Sequence, residues 1–128
     1  MDDLTAFVRA RLDEDEAAAL AAGGGVHCQE WDALPAGHQE SCVEDGHGDG
    51  VVGPYEGSPT LAQARHIARH DPGRALREVE AKRDILTAYI KTEAGGYRGE
   101  GWIAFRFAVE TLAMVWSDHP DCRPEWKP

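Results

Sequence analysis

Long apolar runs are missing from this chain. No stretch approaches the roughly 20 apolar residues that a membrane-crossing helix needs, so no membrane partner is expected. Cysteine is scarce: Cys28, Cys42 and Cys122 make an odd number with no CxxC spacing, for which a disulfide framework is a poor explanation, and they read as three free thiols in a reducing compartment. Positive charge is outweighed, with thirteen Lys and Arg against twenty-three Asp and Glu and a formal charge of −10. Such a surface repels phosphate backbones and anionic lipid, so no nucleic-acid partner is expected, and basic, neutral or peptide ligands fit better. Asp2 and Asp3 stand where a secretory leader carries basic residues, and the expected location is the cytoplasm. Nucleophile-elbow, phosphate-cradling and dinucleotide motifs are absent, so no cofactor is expected.

What remains is an ordinary globular composition, 42% hydrophobic and 28% charged over 128 residues, which suits one domain spanning 1–128. The fold class it predicts is mainly α: a small bundle of about four helices with a short β-hairpin. Leu4, Phe7, Val8, Leu12, Ala19 and Leu20 recur at helical spacing behind a capping Asp2 or Asp3, until Gly23-Gly24-Gly25 stops the pattern. The outer face of this helix carries Arg9 and Asp13 to Glu16, read as a solvated face or an acidic docking strip. Residues 26–31 and 51–55 are short strand candidates that would pair as a hairpin, and Pro35 to Gly50 between them reads as a long loop. Thr60 and Gln63 form a capping box for a helix running to about His70. Asp71-Pro72 then breaks the chain and starts another helix, to about Glu93, with Leu76, Val79, Leu86 and Ile90 on its apolar stripe and Ile85 and Tyr89 alongside.

Trp102 to Trp116 reads as the most apolar helix. Trp102, Phe105, Val109, Leu112, Ala113 and Trp116 form one stripe; Ile103, Phe107 and Met114 form a second on another side. A helix apolar on two sides must be covered on two sides, and so small a chain is expected to use a second copy, as a homodimer.

Two constellations carry candidate chemistry. His66 and His70, four apart on a helix, have the spacing that offers two imidazoles to one zinc ion, with a third ligand from His119 and Cys122, His27 and Cys28, or Cys42 and His47. None of these has the doubled spacing of a strong zinc site, so the metal expectation is none; His66 would then pack in the helix bend and His70 would meet the helix dipole. Arg106 and Glu110 are a charge pair within an apolar helix, where desolvation costs several kcal/mol unless hydrogen bonds compensate. They read as a structural pair at a dimer interface or as groups facing a ligand groove.

Three blocks carry a resemblance: Leu4 to Glu16 (LTAFVRARLDEDE), His66 to Arg83 (HIARHDPGRALREVEAKR) and Asp118 to Trp126 (DHPDCRPEW). Together they resemble a family of small actinobacterial proteins of unknown function whose hallmark is HIARHDP followed by LREVEAKR. The resemblance implies no chemistry. In size, host type and helical character the chain is also similar to the lysinoalanine-forming proteins of cinnamycin- and duramycin-type lanthipeptide clusters. That likeness implies a cofactor-free cyclase that adds a lysine amine to a dehydroalanine of a modified peptide. Its proton relay would be His66 or Glu110, Arg106 or Tyr89 would face the enolate, and Trp102, Phe105, Trp116, His70 and Asp71 would bind the peptide. A non-catalytic acidic adaptor and a small His/Cys zinc-binding regulator are the readings from other classes.

Overall fold

A computed structural model describes residues 2–24, 28–35, 41–53 and 57–127. The strand candidates Val26, His27, Pro54 and Tyr55 lie outside the described residues. Helix α1 (Asp3–Gly23) is followed by strands β1 (Trp31–Pro35), β2 (Ser41–Asp45) and β3 (Gly50–Val52). Helices α2 (Leu61–Arg69), α3 (Pro72–Ala94) and α4 (Glu100–Ala113) complete the order, with 3-10 turns at Met114–Trp116 and Pro124–Trp126. The protein is therefore mainly α with a small sheet, as its periodicities predict. No helix among the described residues is long and apolar enough to cross a membrane.

Packing divides the chain into two compact units, Met1–Asp15 with Glu78–Pro128, and Glu16–Arg77. The first holds the main core. Leu4, Phe7, Val8 and Leu12 of α1 meet Val79, Leu86 and Tyr89 of α3, Val109 and Ala113 of α4, and Cys122 and Trp126 near the C-terminus. The α1 stripe buries Leu4, Val8 and Leu12 at four-residue intervals, the spacing that keeps side chains on one helix face.

In the second unit an antiparallel sheet of order β1-β2-β3 packs on α2. The pairing sets Trp31 opposite Asp45 and Pro35 opposite Ser41, and Val43 opposite Val52 with a bulge at Val43/Glu44. This corrects the expected hairpin: the central strand, β2, lies inside the stretch read as loop. Ser41, Cys42 and Val43 are buried there, yet two apolar residues beside Glu44 and Asp45 make too short a pattern to register as a strand. Pairing with neighbours on both sides, not side-chain periodicity, makes it one.

The helix boundaries follow local signals. Thr60 Oγ1 accepts from the Gln63 N–H at 3.2 Å while Gln63 Oε1 accepts from the Thr60 N–H at 2.9 Å, closing the capping box. Asp71 accepts from the Arg74 N–H at 2.8 Å, capping α3, and its other oxygen takes the Trp31 N–H at 3.2 Å, which ties the start of β1 to the start of α3. Only one of the two apolar stripes of α4 is covered: Val109 and Ala113 are buried with Trp102, Phe105 and Trp116 packed against the core, whereas Ile103, Phe107 and Met114 are exposed.

Leu12 is wholly buried and Leu20, on the same helix, is 52% exposed. Leu12→Ala is expected to lower unfolding stability by about 2–5 kcal/mol, and Leu20→Ala by no more than about 0.5 kcal/mol, in paired urea titrations.

Candidate functional site

The most developed polar arrangement lies in the first unit and begins at Asp2. As the residue preceding α1, Asp2 accepts the Thr5 N–H on Oδ1 at 2.8 Å, an N-cap bond. Its Oδ2 accepts the Tyr89 hydroxyl at 2.7 Å and Arg106 Nη1 at 3.2 Å. The same Nη1 also donates to the Tyr89 oxygen at 3.1 Å, and Arg106 Nε donates to Glu110 Oε1 at 2.7 Å. Tyr89 has no exposed surface, while the side chains of Asp2 and Arg106 are each 30% exposed.

These contacts set the charges. Burial works against ionised Asp2, but hydrogen bonds from Thr5 and Tyr89, with Arg106 nearby, prevail and hold the carboxyl below its usual value. Burial, helped by the bond to Asp2, pushes the Tyr89 phenol up to about 12. For Arg106, burial opposes the charge, and the bonds to Glu110 and Tyr89 more than compensate, raising an already high value. At neutral pH the network is one carboxylate, one neutral hydroxyl and one fixed guanidinium, with Glu110 closing the outer end.

A second group stands on α3 and the start of α4. Glu93 accepts the Trp102 indole N–H, and Arg98 grips both its oxygens, at 2.7 and 3.2 Å. The Arg98 guanidinium lies over the Trp102 ring, 4.4 Å from its centre. The Trp102 bond first, and Arg98 after it, keep the Glu93 carboxyl below its usual value against a smaller opposing effect of burial.

Two clefts share Asp2. One, of about 320 Å³, is lined by Asp2, by Thr5 and Arg9 of α1 and by Ile90, Glu93 and Ala94 of α3. The other, of about 200 Å³, lies against Leu4, Arg106, Arg123, Glu125 and Trp126.

His66 and His70 belong to the second unit. Their rings stack 4.4 Å apart, and His70 Nδ1 lies 2.8 Å from the His66 carbonyl, where its N–H satisfies an open carbonyl at the C-terminus of α2. Both rings are exposed, which corrects the expectation that His66 packs in the helix bend; two imidazoles stack at the surface because one of them caps the helix. His66 also lines a broad cleft of about 630 Å³ with Val52, Gln63 and Ile67. Among the described residues no group of three or more His, Cys, Asp or Glu is placed to hold a metal ion.

Of the residues singled out by sequence, Tyr89, Arg106 and Glu110 are thus brought together, and Trp102 joins Glu93. Phe105 and Trp116 pack against the core, and the Trp116 indole donates to Asp15 at 3.2 Å. Asp71 is engaged by backbone N–H groups. Sequence reasoning missed the roles of Asp2, Glu93 and Arg98. It also missed Arg11, which lies over the Phe7 ring with Nη1 3.0 Å from His119 Nδ1 and Nη2 2.6 Å from Glu14. Arg11 had a signal: it stands four residues after Phe7, in phase with the buried stripe.

The family model described as "Family of unknown function (DUF6221)" matches residues 1–128, and the chain belongs to that family. No curated protein and no solved structure matches it significantly.

The raised Tyr89 value fixes a pH dependence. A group whose folded pKa, about 12, lies above its ordinary 10.0 stabilises the fold fully below pH 10 and loses that contribution as pH rises towards 12. Subtracting Tyr89→Phe from the wild-type protein in urea titrations across that window isolates the effect: the difference should shrink as pH rises. At neutral pH Tyr89→Phe should cost about 0.5–1.5 kcal/mol.

Proposed function

We propose that this member of the family is a binding module for a lysine-bearing peptide segment, held in the cleft of about 320 Å³ between α1 and α3. The observation that carries this reading is the make-up of that cleft. Ile90 and Ala94 give an apolar wall for a lysine stem, and Asp2 and Glu93 stand beside it with carboxyls held ionised by their hydrogen bonds. The volume suits one or two side chains rather than a large ligand. The net charge of −10 adds long-range attraction for a basic peptide. The reading includes action in the cytoplasm, in keeping with three cysteines that stay free, and a second copy of the chain as partner.

Arg106, in the smaller cleft that shares Asp2, favours a catalytic use beside this site, closure of a lysinoalanine bridge in a modified lanthipeptide. In that reaction the lysine nitrogen attacks the β-carbon of a dehydroalanine, and the alkene pair moves onto the carbonyl as an enolate. The proton shed by nitrogen ends on the α-carbon, so mass is unchanged. Arg106, permanently charged and lining the smaller cleft, is a donor for the enolate oxygen. Proton removal receives little help: Asp2 and Glu93 are weaker bases than ordinary carboxylates, and Tyr89 keeps its proton to about pH 12. The rate would come from positioning, and would climb with pH towards the ordinary lysine value of about 10.4.

Calorimetric titration with a lysine-bearing peptide and its norleucine counterpart tests the binding reading. Loss of the ammonium is expected to weaken binding about tenfold, a charge-assisted bond contributing roughly 1.5–3 kcal/mol. Glu93→Gln, which keeps an acceptor for Trp102, should weaken only the lysine peptide. Equal affinity for the two peptides, or none for either, would overturn the module. For the catalytic use, the protein is incubated with a dehydrated, cyclised precursor and the dehydroalanine is probed with an added thiol. Thiol reactivity that disappears supports bridge closure; reactivity that persists in a bound peptide leaves a module without chemistry.

A further inference from the structure

Among the described residues the outer face of α4 is bare in a way no other helix is. Ile103 is 58%, Phe107 68%, Met114 38% and the following Val115 57% exposed, and Ala104 and Thr111 lie on the same side. Between Gly101 and Ser117 the only charged residues are Arg106 and Glu110; Arg106 is turned to Asp2 and Tyr89 and holds Glu110 through its Nε. Glu110 borders this face and is offset by Arg106, so the face carries no net charge on a chain whose total is −10.

The geometry points to a second copy of this chain as its occupant, through antiparallel packing of α4 on its own symmetry mate; this rests on the self-association reading above and assigns its surface. Three features select a second copy. The charge balance is the first: two copies approaching through any acidic face repel, and this face confines like charges to its two rims. The second is self-complementary shape. A two-fold axis near position 109 sets Phe107 of each copy over Thr111 of the other and Met114 over Ala104, each large side chain against a small one, while Ile103 meets Val115. Area is the third. Largest bare patches on monomers run to roughly 300–600 Å², whereas a stable pair takes about 800 Å² from each partner. Four large side chains this exposed approach the first figure, and the flanking Ala104, Ala108 and Thr111 extend it towards the second.

The same axis brings Glu100 of one copy towards Asp118 of the other at the two rims. These like charges oppose association and are screened by salt, so the dimer should tighten as ionic strength rises. This sets it apart from pairing held by rim salt bridges, which salt loosens.

Light scattering on the full chain, with circular dichroism as the control for folding, provides the test. The wild-type protein is expected at twice the 14.0 kDa chain mass at micromolar concentration, and Phe107→Glu at the single mass with unchanged helicity. Glu100→Lys, which turns rim repulsion into attraction, should lower the dissociation constant several-fold. Should Phe107→Glu misfold, Thr111→Cys in a Cys28→Ser background is the second variant. Its cysteines lie close to the axis, and mild oxidation is expected to link the two copies. A wild-type mass of one chain would overturn self-association altogether. A dimer that survives Phe107→Glu, does not respond to Glu100→Lys and fails to link through position 111 would overturn this surface while leaving the dimer intact.

Discussion

A phenol with no exposed surface needs a partner for its hydroxyl, and the first unit is arranged around that need. An unpaired hydroxyl in an apolar interior costs about 1–3 kcal/mol, a sizeable fraction of a small protein's stability. Tyr89 finds its acceptor in Asp2, 87 positions away. That carboxylate can stay close to the core because the Thr5 N–H holds its other oxygen and Arg106 supplies the countercharge. Arg106, placed in the most apolar helix, is in turn tied to Glu110. Each group answers the desolvation of the one before it, and the chain of bonds pins the start of α1, the last third of α3 and the centre of α4 to one point. The clefts on either side of Asp2 follow from this, since three elements that converge on a polar junction cannot close over it as an apolar core would.

The parts of this arrangement legible in sequence are those with local causes. Thr60 with Gln63, Asp71 before Pro72, and the glycines after α1 and α3 announce helix ends within a few residues, and the structure places those ends accordingly. Arg106 and Glu110 stood out because a charge pair in an apolar helix demands a reason. Asp2 was legible as a cap and illegible as the acceptor for Tyr89, because nothing local links positions so far apart. Strand β2 was hidden for the same kind of reason: its stability comes from backbone pairing on both sides, and Ser41-Cys42-Val43 is too short to declare a period. The imidazole pair shows the opposite failure. His66 and His70 have a spacing that metals use, yet that spacing also serves an exposed stack and a helix cap.

The proton affinities in the first unit bear on what kind of work such a site suits. Proton-transfer sites hold a group whose pKa lies near the working pH, because both protonation states must be within reach. Here the shifts run outward: Asp2 and Glu93 fall, Tyr89 rises to about 12, and Arg106 rises further. Every resolved shift in the network takes its group away from neutrality and fixes its charge. A fixed pattern of charges beside an apolar wall favours recognition, since a ligand meets dipoles already oriented and need not reorganise them. Any reaction promoted there must draw on orientation and on the standing charge of Arg106. The two carboxylates impose a further constraint, because an amine held between them is stabilised as ammonium and is a poorer nucleophile than the free amine. A lysine that is to attack an alkene is better placed beyond their reach, with a different basic group of the same peptide in the cleft. Anchor and nucleophile then have to be separate parts of one ligand, a requirement that a peptide meets and a free amino acid does not.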